Sequence, residues 1–308
     1  MGILIKNVLA VLPEKSEICS IYVENGAIAA IGAAPDGFVP DEIIDGTGKL
    51  AVPGFVNAHT HNYMTLLRGC ADDLEFDKWL FERVMPLENR LTPEDAYWSC
   101  MLAATEMIRS GTTAYLDMHM FPEVTVQAAL DSGMRAVISR GLSGGEDDAA
   151  GGERRLKEAR DEIEKYRGVS PRISFMIAPH ALYTCDEGYL RQVGELAAEL
   201  GLGINTHLAE TEGEVRHSYE KFGCSPVELY DRFGLLREKT VAAHCVRLSI
   251  GDINILSYRK VSAAVNTASN LKLGNGTPPI ASLRRHGVNL CFGTDSAAHS
   301  VSHMPPRT

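Results

Sequence analysis

Short apolar runs alternate with longer amphipathic stretches between residues 54 and 296, and this alternation is the strongest constraint on the fold. The stretches between the runs have the 3.6-residue periodicity of helices, and several end in glycine, as helices often do. Eight runs are predicted to be strands: GFVNAH (54–59), TAYLDMH (113–119), RAVISRG (135–141), RISFMIAP (172–179), GINTHLAE (203–210), TVAAHCV (240–246), VSAAVN (261–266) and VNLCFGTDS (288–296). Eight such units close into a barrel of about 250 residues. We therefore predict an α/β fold, a (β/α)8 barrel of the TIM-like type.

The first 50 residues have a different pattern, in which short apolar runs are separated by turn residues such as Asn25 and Gly26. An Asn-Gly pair between two apolar runs predicts a β-hairpin. We therefore predict two domains, with residues 1–50 forming a small, incomplete β-sandwich and residues 51–308 forming the barrel.

The C-terminal segment does not resemble a barrel helix. After strand eight, residues 296–308 read SAAHSVSHMPPRT, which has two adjacent prolines and no apolar periodicity. A helix at this place should cover the flank between the first and last strands. We therefore expect the chain to be truncated after strand eight and to lack its last barrel helix.

Composition narrows the class of partner and the compartment. The formal charge is −10 over 308 residues, and no basic block offsets it, which argues against nucleic acid and anionic membranes as partners. No apolar run approaches the ~20 residues that a membrane-spanning helix needs. The seven cysteines are scattered and form no CxxC pair, which predicts reduced thiols and a cytoplasmic protein. A small molecule is the expected partner.

Histidines concentrate at the predicted strand ends. His59 and His61 are two residues apart, so their side chains project to the same side at the end of strand one. His207 and His244 lie near the ends of strands five and six, and Asp295 lies at the end of strand eight. Neutral imidazoles are common ligands of divalent metals, and three imidazoles with one carboxylate leave a position open for water. This set predicts a hydrolytic metal site.

Two carboxylates in this set could move protons. Glu210 follows His207 by three residues, and Asp295 could both bind the metal and accept a proton from water. The alternative for Glu210 is a helix-capping carboxylate, and the alternative for Asp295 is an ordinary turn residue. Strand four ends in APHALYT, without a lysine that could be carboxylated to bridge two ions. We therefore predict a single metal ion.

The motifs PGFVNAHTH, THLAE, AAHCV and GTDS, together with MPLENRLTPEDAYW, resemble the amidohydrolase superfamily, specifically its 5-methylthioadenosine/S-adenosylhomocysteine deaminases. The resemblance extends from about residue 3 to residue 296. It implies a barrel with a small β-sandwich and one divalent metal ion per subunit, expected to be Zn²⁺. The implied reaction replaces the 6-amino group of adenine nucleosides by oxygen and releases ammonia, so that methylthioadenosine becomes methylthioinosine and S-adenosylhomocysteine becomes S-inosylhomocysteine.

The resemblance also implies roles for the residues at the strand ends. His59, His61, His207 and Asp295 would bind the metal. Glu210 would protonate the purine ring, His244 would hold or polarise the attacking hydroxide, and Asp295 would pass its proton to the departing ammonia.

Three further residues are implied as substrate contacts: Glu88 for the ribose hydroxyls, Arg140 for the far end of the substrate and His180 for the nucleoside. The alternatives are a solvated helix charge for Glu88, a surface ion pair for Arg140 and a core histidine for His180.

Two rival functions stay open. One is a related deaminase or chlorohydrolase acting on guanine, cytosine or triazine rings, and the other is a truncated metal-binding remnant without turnover. The oligomeric state is also open, although members of the family often form homo-oligomers.

Overall fold

A computed structural model of the chain describes residues 1–298. The chain forms two compact units, one covering Met1–Gly54 and the other beginning at Phe55. The predicted division into domains at residue 50 stays a prediction, since compactness alone does not show that either part folds by itself.

The first unit contains one five-stranded sheet in the order β3-β2-β1-β4, with β5 also pairing with β1. Its strands are β1 (Gly2–Val11), β2 (Ser16–Glu24), β3 (Ala27–Ile31), β4 (Glu42–Asp45) and β5 (Leu50–Ala51). β1 pairs antiparallel with β2, and β2 pairs antiparallel with β3 through the predicted hairpin. Asn25 and Gly26 at its tip both have positive φ, as a tight hairpin turn requires. A small apolar cluster of Val8, Ala10 and Ile21 stabilises this sheet.

The strands of the second unit are all parallel to their paired neighbours. They are β6 (Phe55–Thr60), β7 (Thr112–His119), β8 (Arg135–Leu142), β9 (Ile173–Phe175), β10 (Ala178–Pro179), β11 (Asn205–Leu208), β12 (Val241–His244), β13 (Ser262–Val265) and β14 (Asn289–Phe292). β9 and β10 together occupy the position of predicted strand four, because the strand is interrupted at Met176 and Ile177. Ile177 bridges to Ile204, and Thr60 bridges to Asp295, so the eight strand positions form a closed ring. The predicted barrel is confirmed.

Helices connect the strands. They are α1 (Met85–Glu88), α2 (Pro93–Arg109), α3 (Val124–Ser132), α4 (Ala149–Tyr166), α5 (Glu187–Leu200), α6 (Glu212–Phe222), α7 (Pro226–Arg232), α8 (Ile250–Tyr258), α9 (Thr267–Lys272) and α10 (Ile280–Arg285). Short 3₁₀ helices span Asn62–Leu67 and Glu146–Asp148, and a π-helix spans Lys78–Val84. Within residues 1–298, no helix combines the length and the apolar character needed to cross a bilayer.

The main core lies between the strands and the helices that surround them. Its fully buried members include Ile138, Leu142, Ile177, Leu190, Ile204, Leu208, Leu235, Ile253 and Leu256. Burying one such side chain contributes about 1.5–3 kcal/mol, so this layer holds the strand ends in fixed positions. The expected truncation and missing last helix concern residues 299–308, which lie outside the described residues.

Candidate metal and catalytic site

The barrel brings the predicted metal ligands together at the carboxyl ends of its strands. His59 lies in β6 and His61 just after it, His207 lies in β11, and Asp295 follows β14. All four side chains are buried, and their ligand atoms lie within 4.8 Å of one another. The Nε2 atom of His207 lies 3.2 Å from the Nε2 atoms of both His59 and His61.

These spacings fit a metal ion. Asp295 Oδ1 lies 3.5 Å from His59 Nε2 and 3.3 Å from His61 Nε2. Ligands about 2.0–2.1 Å from a tetrahedral ion are about 3.3 Å from one another. Four of the separations between ligand atoms, 3.2–3.5 Å, therefore agree with atoms that bind one shared ion.

Backbone carbonyls orient two of the imidazoles. His61 Nδ1 donates to the carbonyl of Met118 at 2.9 Å, and His207 Nδ1 donates to the carbonyl of His180 at 2.8 Å. In a neutral imidazole this leaves the lone pair on Nε2, where a metal would bind. Burial lowers the pKa of His59 to about 4, against the opposing effect of Asp295, and burial also lowers the pKa of His207 well below its usual value. Low pKa values keep these two imidazoles neutral, the form that binds a metal.

Glu210 lies beside this cluster and is 2% exposed. The hydroxyl of Tyr183 donates to Glu210 Oε2 at 3.2 Å, and Asn275 Nδ2 donates to Oε1 at 3.0 Å. Burial, reinforced by the charge of Asp295, raises the pKa of Glu210 well above its usual value. A carboxyl group that keeps its proton near neutral pH can serve as an acid.

His244, at the end of β12, completes the centre. Its Nδ1 atom lies 2.9 Å from Asn270 Oδ1, and its Nε2 atom lies 3.7 Å from Asp295 Oδ2. Ser269 donates a hydrogen bond of 2.6 Å to the same oxygen of Asp295. Both His244 (φ 74°) and Asp295 (φ 60°) have left-handed backbone conformations. Such conformations are unfavourable for residues other than glycine and often occur at functional sites.

A pocket opens above the cluster and encloses about 690 Å³ of empty space, including some open to solvent. Its polar lining includes His61, Glu88, His180, Tyr183, His207, Glu210, His244 and Asp295, and its apolar lining includes Met64, Phe76, Trp79, Leu80, Met85 and Leu273. This size suits a small molecule, and the mixture of apolar walls with a few polar groups is typical of ligand pockets.

The structure places two of the three predicted substrate contacts in the pocket wall. Glu88 lies there and accepts a hydrogen bond of 2.6 Å from the hydroxyl of Tyr63. Burial raises the pKa of Glu88, although the Tyr63 bond lowers it. His180 also lines the pocket, and its Nδ1 atom lies 2.9 Å from the hydroxyl of Thr184. Burial lowers the pKa of His180 to about 3, so its ring is neutral.

Arg140 is not brought to the pocket wall within residues 1–298. Its Nε and Nη2 atoms bind Glu158 Oε2 at 3.2 and 2.9 Å, and its Nη1 atom donates to the carbonyl of Gly141 at 2.7 Å. Gly141 lines the pocket, so the guanidinium lies directly behind the wall. A carboxylate of the protein already occupies the place that the predicted substrate carboxylate would take.

Several neighbours of the site were not anticipated from the sequence. They are Tyr63, Tyr183, Ser269, Asn270, Asn275 and Glu214. The asparagines follow predicted strand seven in the segment NTASNLKLGN, and polar residues after a barrel strand are a signal that could have found them. Tyr63 lies in the short 3₁₀ helix after β6 and Tyr183 lies in a turn after β10, and the sequence carried no comparable signal at either place.

Comparison with known proteins is consistent with this geometry. The family model described as "Amidohydrolase family" matches residues 50–305. The chain is 42% identical over 302 residues to the 5-methylthioadenosine/S-adenosylhomocysteine deaminase of Caldanaerobacter subterraneus, covering 97% of this chain and 70% of that protein. It is 45% identical over 268 residues to the protein of the same name from Pelotomaculum thermopropionicum, covering 87% of this chain and 61% of that protein.

A solved structure is also similar. The adenosine deaminase from Xanthomonas campestris, with bound zinc, superposes with a TM-score of 0.91 at 32% sequence identity, covering 98% of this chain and 70% of that one. The chain thus spans 61–70% of the length of the two curated relatives and 70% of this structural neighbour.

Proposed function

The chain belongs to the amidohydrolase family, and from this premise we propose that it catalyses the hydrolytic deamination of adenine nucleosides. The proposed substrates are 5'-methylthioadenosine, which yields 5'-methylthioinosine, and S-adenosylhomocysteine, which yields S-inosylhomocysteine. Each reaction consumes one water and releases one ammonia. The observation that carries the proposal is the buried carboxyl group of Glu210, which has a raised pKa and shares one pocket with the ligand cluster and with Glu88.

The metal requirement follows from the donor set. His59, His61, His207 and Asp295 would hold the ion, and we propose one Zn²⁺ per subunit. Three imidazoles with one carboxylate suit zinc, and the similar adenosine deaminase contains zinc. When bound, the ion supplies the Lewis acidity that makes water nucleophilic near neutral pH.

Protein side chains move the protons. Glu210 donates its proton to the ring nitrogen next to C6 as water adds to that carbon, which spares the ring a full negative charge. Asp295 accepts one proton from the water and passes it to the amino group, which leaves as ammonia. The second proton of the water returns to Glu210 as the hydroxyl on C6 becomes a carbonyl. His244 lies between these two carboxylates, 3.6 Å from Glu210 and 3.7 Å from Asp295, where it orients the water.

Other residues hold the nucleoside. Glu88 has one oxygen bound by Tyr63, and we assign its other oxygen to the ribose hydroxyls. The Nδ1 atom of His180 contacts the hydroxyl of Thr184, so we assign its Nε2 atom to a hydrogen bond with the nucleoside. Arg140 contacts an amino-acid carboxylate of the substrate only after Glu158 releases it.

The remaining assignments complete the proposal. We assign residues 1–50 as a small β domain and residues 51–308 as the barrel domain. The partner is the nucleoside, not nucleic acid or membrane, and the family resemblance favours homo-oligomers. The cytoplasm is the proposed compartment, supported by seven free cysteines.

The test is a substrate panel with the purified chain and Zn²⁺. Methylthioadenosine, adenosylhomocysteine, adenosine and guanine are assayed in parallel for ammonia release, and the nucleosides also for the ultraviolet shift from adenine to hypoxanthine. We expect turnover of the nucleosides and its loss in Glu210→Gln, which cannot donate the proton. Turnover of guanine alone would instead support the rival deaminase of a free base, and no turnover with one bound metal would support an inactive remnant.

A further inference from the structure

Glu214 is a buried carboxylate close to the catalytic centre that the proposed reaction does not use. It lies in the first turn of α6 and is 4% exposed. Its Oε1 atom accepts the backbone N–H of Ala209 at 3.0 Å, and its Oε2 atom accepts the backbone N–H of Glu210 at 2.8 Å. One side chain therefore binds two consecutive amides, one of which belongs to the proposed acid.

The turn that Glu214 binds has an unfavourable backbone conformation. Ala209 has φ 50°, in the left-handed region that residues with a Cβ seldom adopt. Such a conformation costs on the order of 1–3 kcal/mol and persists only where surrounding contacts enforce it. The pair of hydrogen bonds from Glu214 supplies such contacts on the N–H side of the turn.

The opposite side of the same turn is attached to the loop that carries His244. The carbonyl of Ala209 accepts the N–H groups of Val246 at 3.0 Å and Arg247 at 2.8 Å, and the carbonyl of Leu208 accepts the N–H of Cys245 at 3.1 Å. Glu214 thus closes a rigid unit in which the backbone of Glu210 has a fixed position relative to the loop of His244.

Helix capping alone does not explain this carboxylate. Thr211 already caps α6, because its hydroxyl accepts the N–H of Glu214 at 3.0 Å. Both oxygens of Glu214 accept from residues that precede the helix. Glu212, an exposed acidic residue in the same turn, can also interact favourably with the positive end of the helix dipole, so Glu214 is not needed for that effect.

We infer that Glu214 is a positioning residue for Glu210, holding the backbone of the turn so that the acid meets the substrate in a reactive geometry. The inference rests on the proposed function, because Glu210 is the acid of that reaction. It separates two kinds of contact around Glu210. Tyr183 and Asn275 hold the end of the side chain, whereas Glu214 holds its base.

The test compares Glu214→Gln with the parent chain and with Glu212→Gln, the same substitution at an exposed position of the same helical turn. Glutamine keeps the size of the side chain, but its NH₂ group cannot accept a hydrogen bond, so one backbone N–H loses its acceptor. Misplacing a catalytic group by about 1 Å can cost up to about 100-fold in rate. We expect kcat of Glu214→Gln to fall about 10- to 100-fold with KM changed less than about threefold, one metal per chain retained, and Glu212→Gln like the parent.

Crystal structures of the parent and of Glu214→Gln give a readout that does not depend on turnover. We expect the Glu210 carboxylate to shift by about 1 Å or to occupy several positions in the variant. An unmoved Glu210 together with an unchanged kcat would overturn the inference. If the parent deaminates no adenine nucleoside, the proposed function fails, and the structures alone decide whether Glu214 positions Glu210.

Discussion

The Nε2 atoms of His61 and His207 lie 3.2 Å apart, although the residues are separated by 146 positions in the chain. Each ring donates through Nδ1 to a backbone carbonyl, so in its neutral form each ring directs the lone pair of its Nε2 atom toward the other ring. Two lone pairs at this distance repel unless a cation lies between them. The protein therefore holds a preformed site for a positive ion.

The first prediction concerns the proposed metal ligand His207. Removing a residue that only contacts a metal ligand typically lowers metal affinity by about 10- to 100-fold. His207→Ala removes a proposed ligand itself, so it should lower metal affinity by more than about 100-fold and abolish turnover. Metal content by mass spectrometry and ammonia release measure the two effects. The matched control is His217→Ala, which removes an exposed histidine on α6 and should change neither. Full metal occupancy in His207→Ala would contradict the ligand assignment.

Metal removal should destabilise the barrel. The four proposed ligands come from the ends of the first, fifth and eighth strand positions, so a bound ion links distant parts of the ring. A ligand present at 1,000 times its Kd stabilises the folded state by about 4 kcal/mol. We expect a chelator to lower the Tm of the parent and added Zn²⁺ to restore it. The Tm of His207→Ala should not respond to the chelator, and an equal response would mean that the metal binds elsewhere.

The ligand cluster could be predicted from the sequence because it depends on local patterns alone. His59 and His61 are two residues apart at the end of a predicted strand. The carboxyl ends of parallel barrel strands lie at one face, so the positions of the predicted strands were enough to predict that His207 and Asp295 lie close to this pair. Strand alternation similarly predicted the barrel. These features do not depend on the path of any loop.

The contacts around the cluster could not be predicted in the same way. The bonds from Tyr63 to Glu88 and from Asn275 to Glu210 join residues 25 and 65 positions apart and depend on how the segments between the strands fold. Arg140 shows the limit most clearly. Its position in a strand could be predicted from the sequence, but its ion pair with Glu158 of α4 depends on how that helix packs against the strand.

The third prediction concerns Tyr63, which holds one oxygen of Glu88. Tyr63→Phe removes a hydrogen bond of 2.6 Å to a half-buried carboxylate and leaves Glu88 less well oriented. A hydrogen bond to a charged group contributes about 1.5–3 kcal/mol. Tyr63 affects the ribose only through Glu88, so we expect a smaller effect, a rise in KM for nucleosides of about 3- to 10-fold. Steady-state kinetics measure this KM. Tyr97→Phe, which removes a hydroxyl bond to Asp131, is the control, and an equal KM change there would exclude a specific role for Tyr63.

The fourth prediction concerns the choice between nucleosides. Glu158 binds Arg140 through two nitrogens and is about one-third exposed, so it competes with a substrate carboxylate at modest strength. Glu158→Gln removes the negative charge that pairs with the guanidinium, so it should weaken this pair and raise kcat/KM for adenosylhomocysteine relative to methylthioadenosine by about 3- to 10-fold. Glu164→Gln, at an exposed position of the same helix, should leave the ratio unchanged. A ratio that falls in Glu158→Gln would show that the ion pair helps to bind the carboxylate.

The last prediction concerns pH and Glu214. Burial raises the pKa of Glu214 to about 7, although the backbone N–H of Glu210 lowers it. Between its usual value of 4.5 and about 7, the folded state therefore binds this proton more tightly than the unfolded state. The stabilisation of the folded state by this proton is fully present below 4.5, the usual pKa of the group, and is lost as the pH rises through the pKa of Glu214 in the folded state.

Glu214→Gln has no proton to lose at this position, so its stability lacks this pH dependence. The difference in free energy of unfolding, parent minus variant, should decrease by about 2 kcal/mol between about pH 5.5 and pH 8, since one pKa unit corresponds to about 1.4 kcal/mol. Urea unfolding of both proteins in the same zinc-containing buffers measures it, and titrations shared by the two proteins cancel. A difference that is constant with pH would mean that the two backbone N–H groups outweigh burial, so that the Glu214 carboxylate is charged throughout this range.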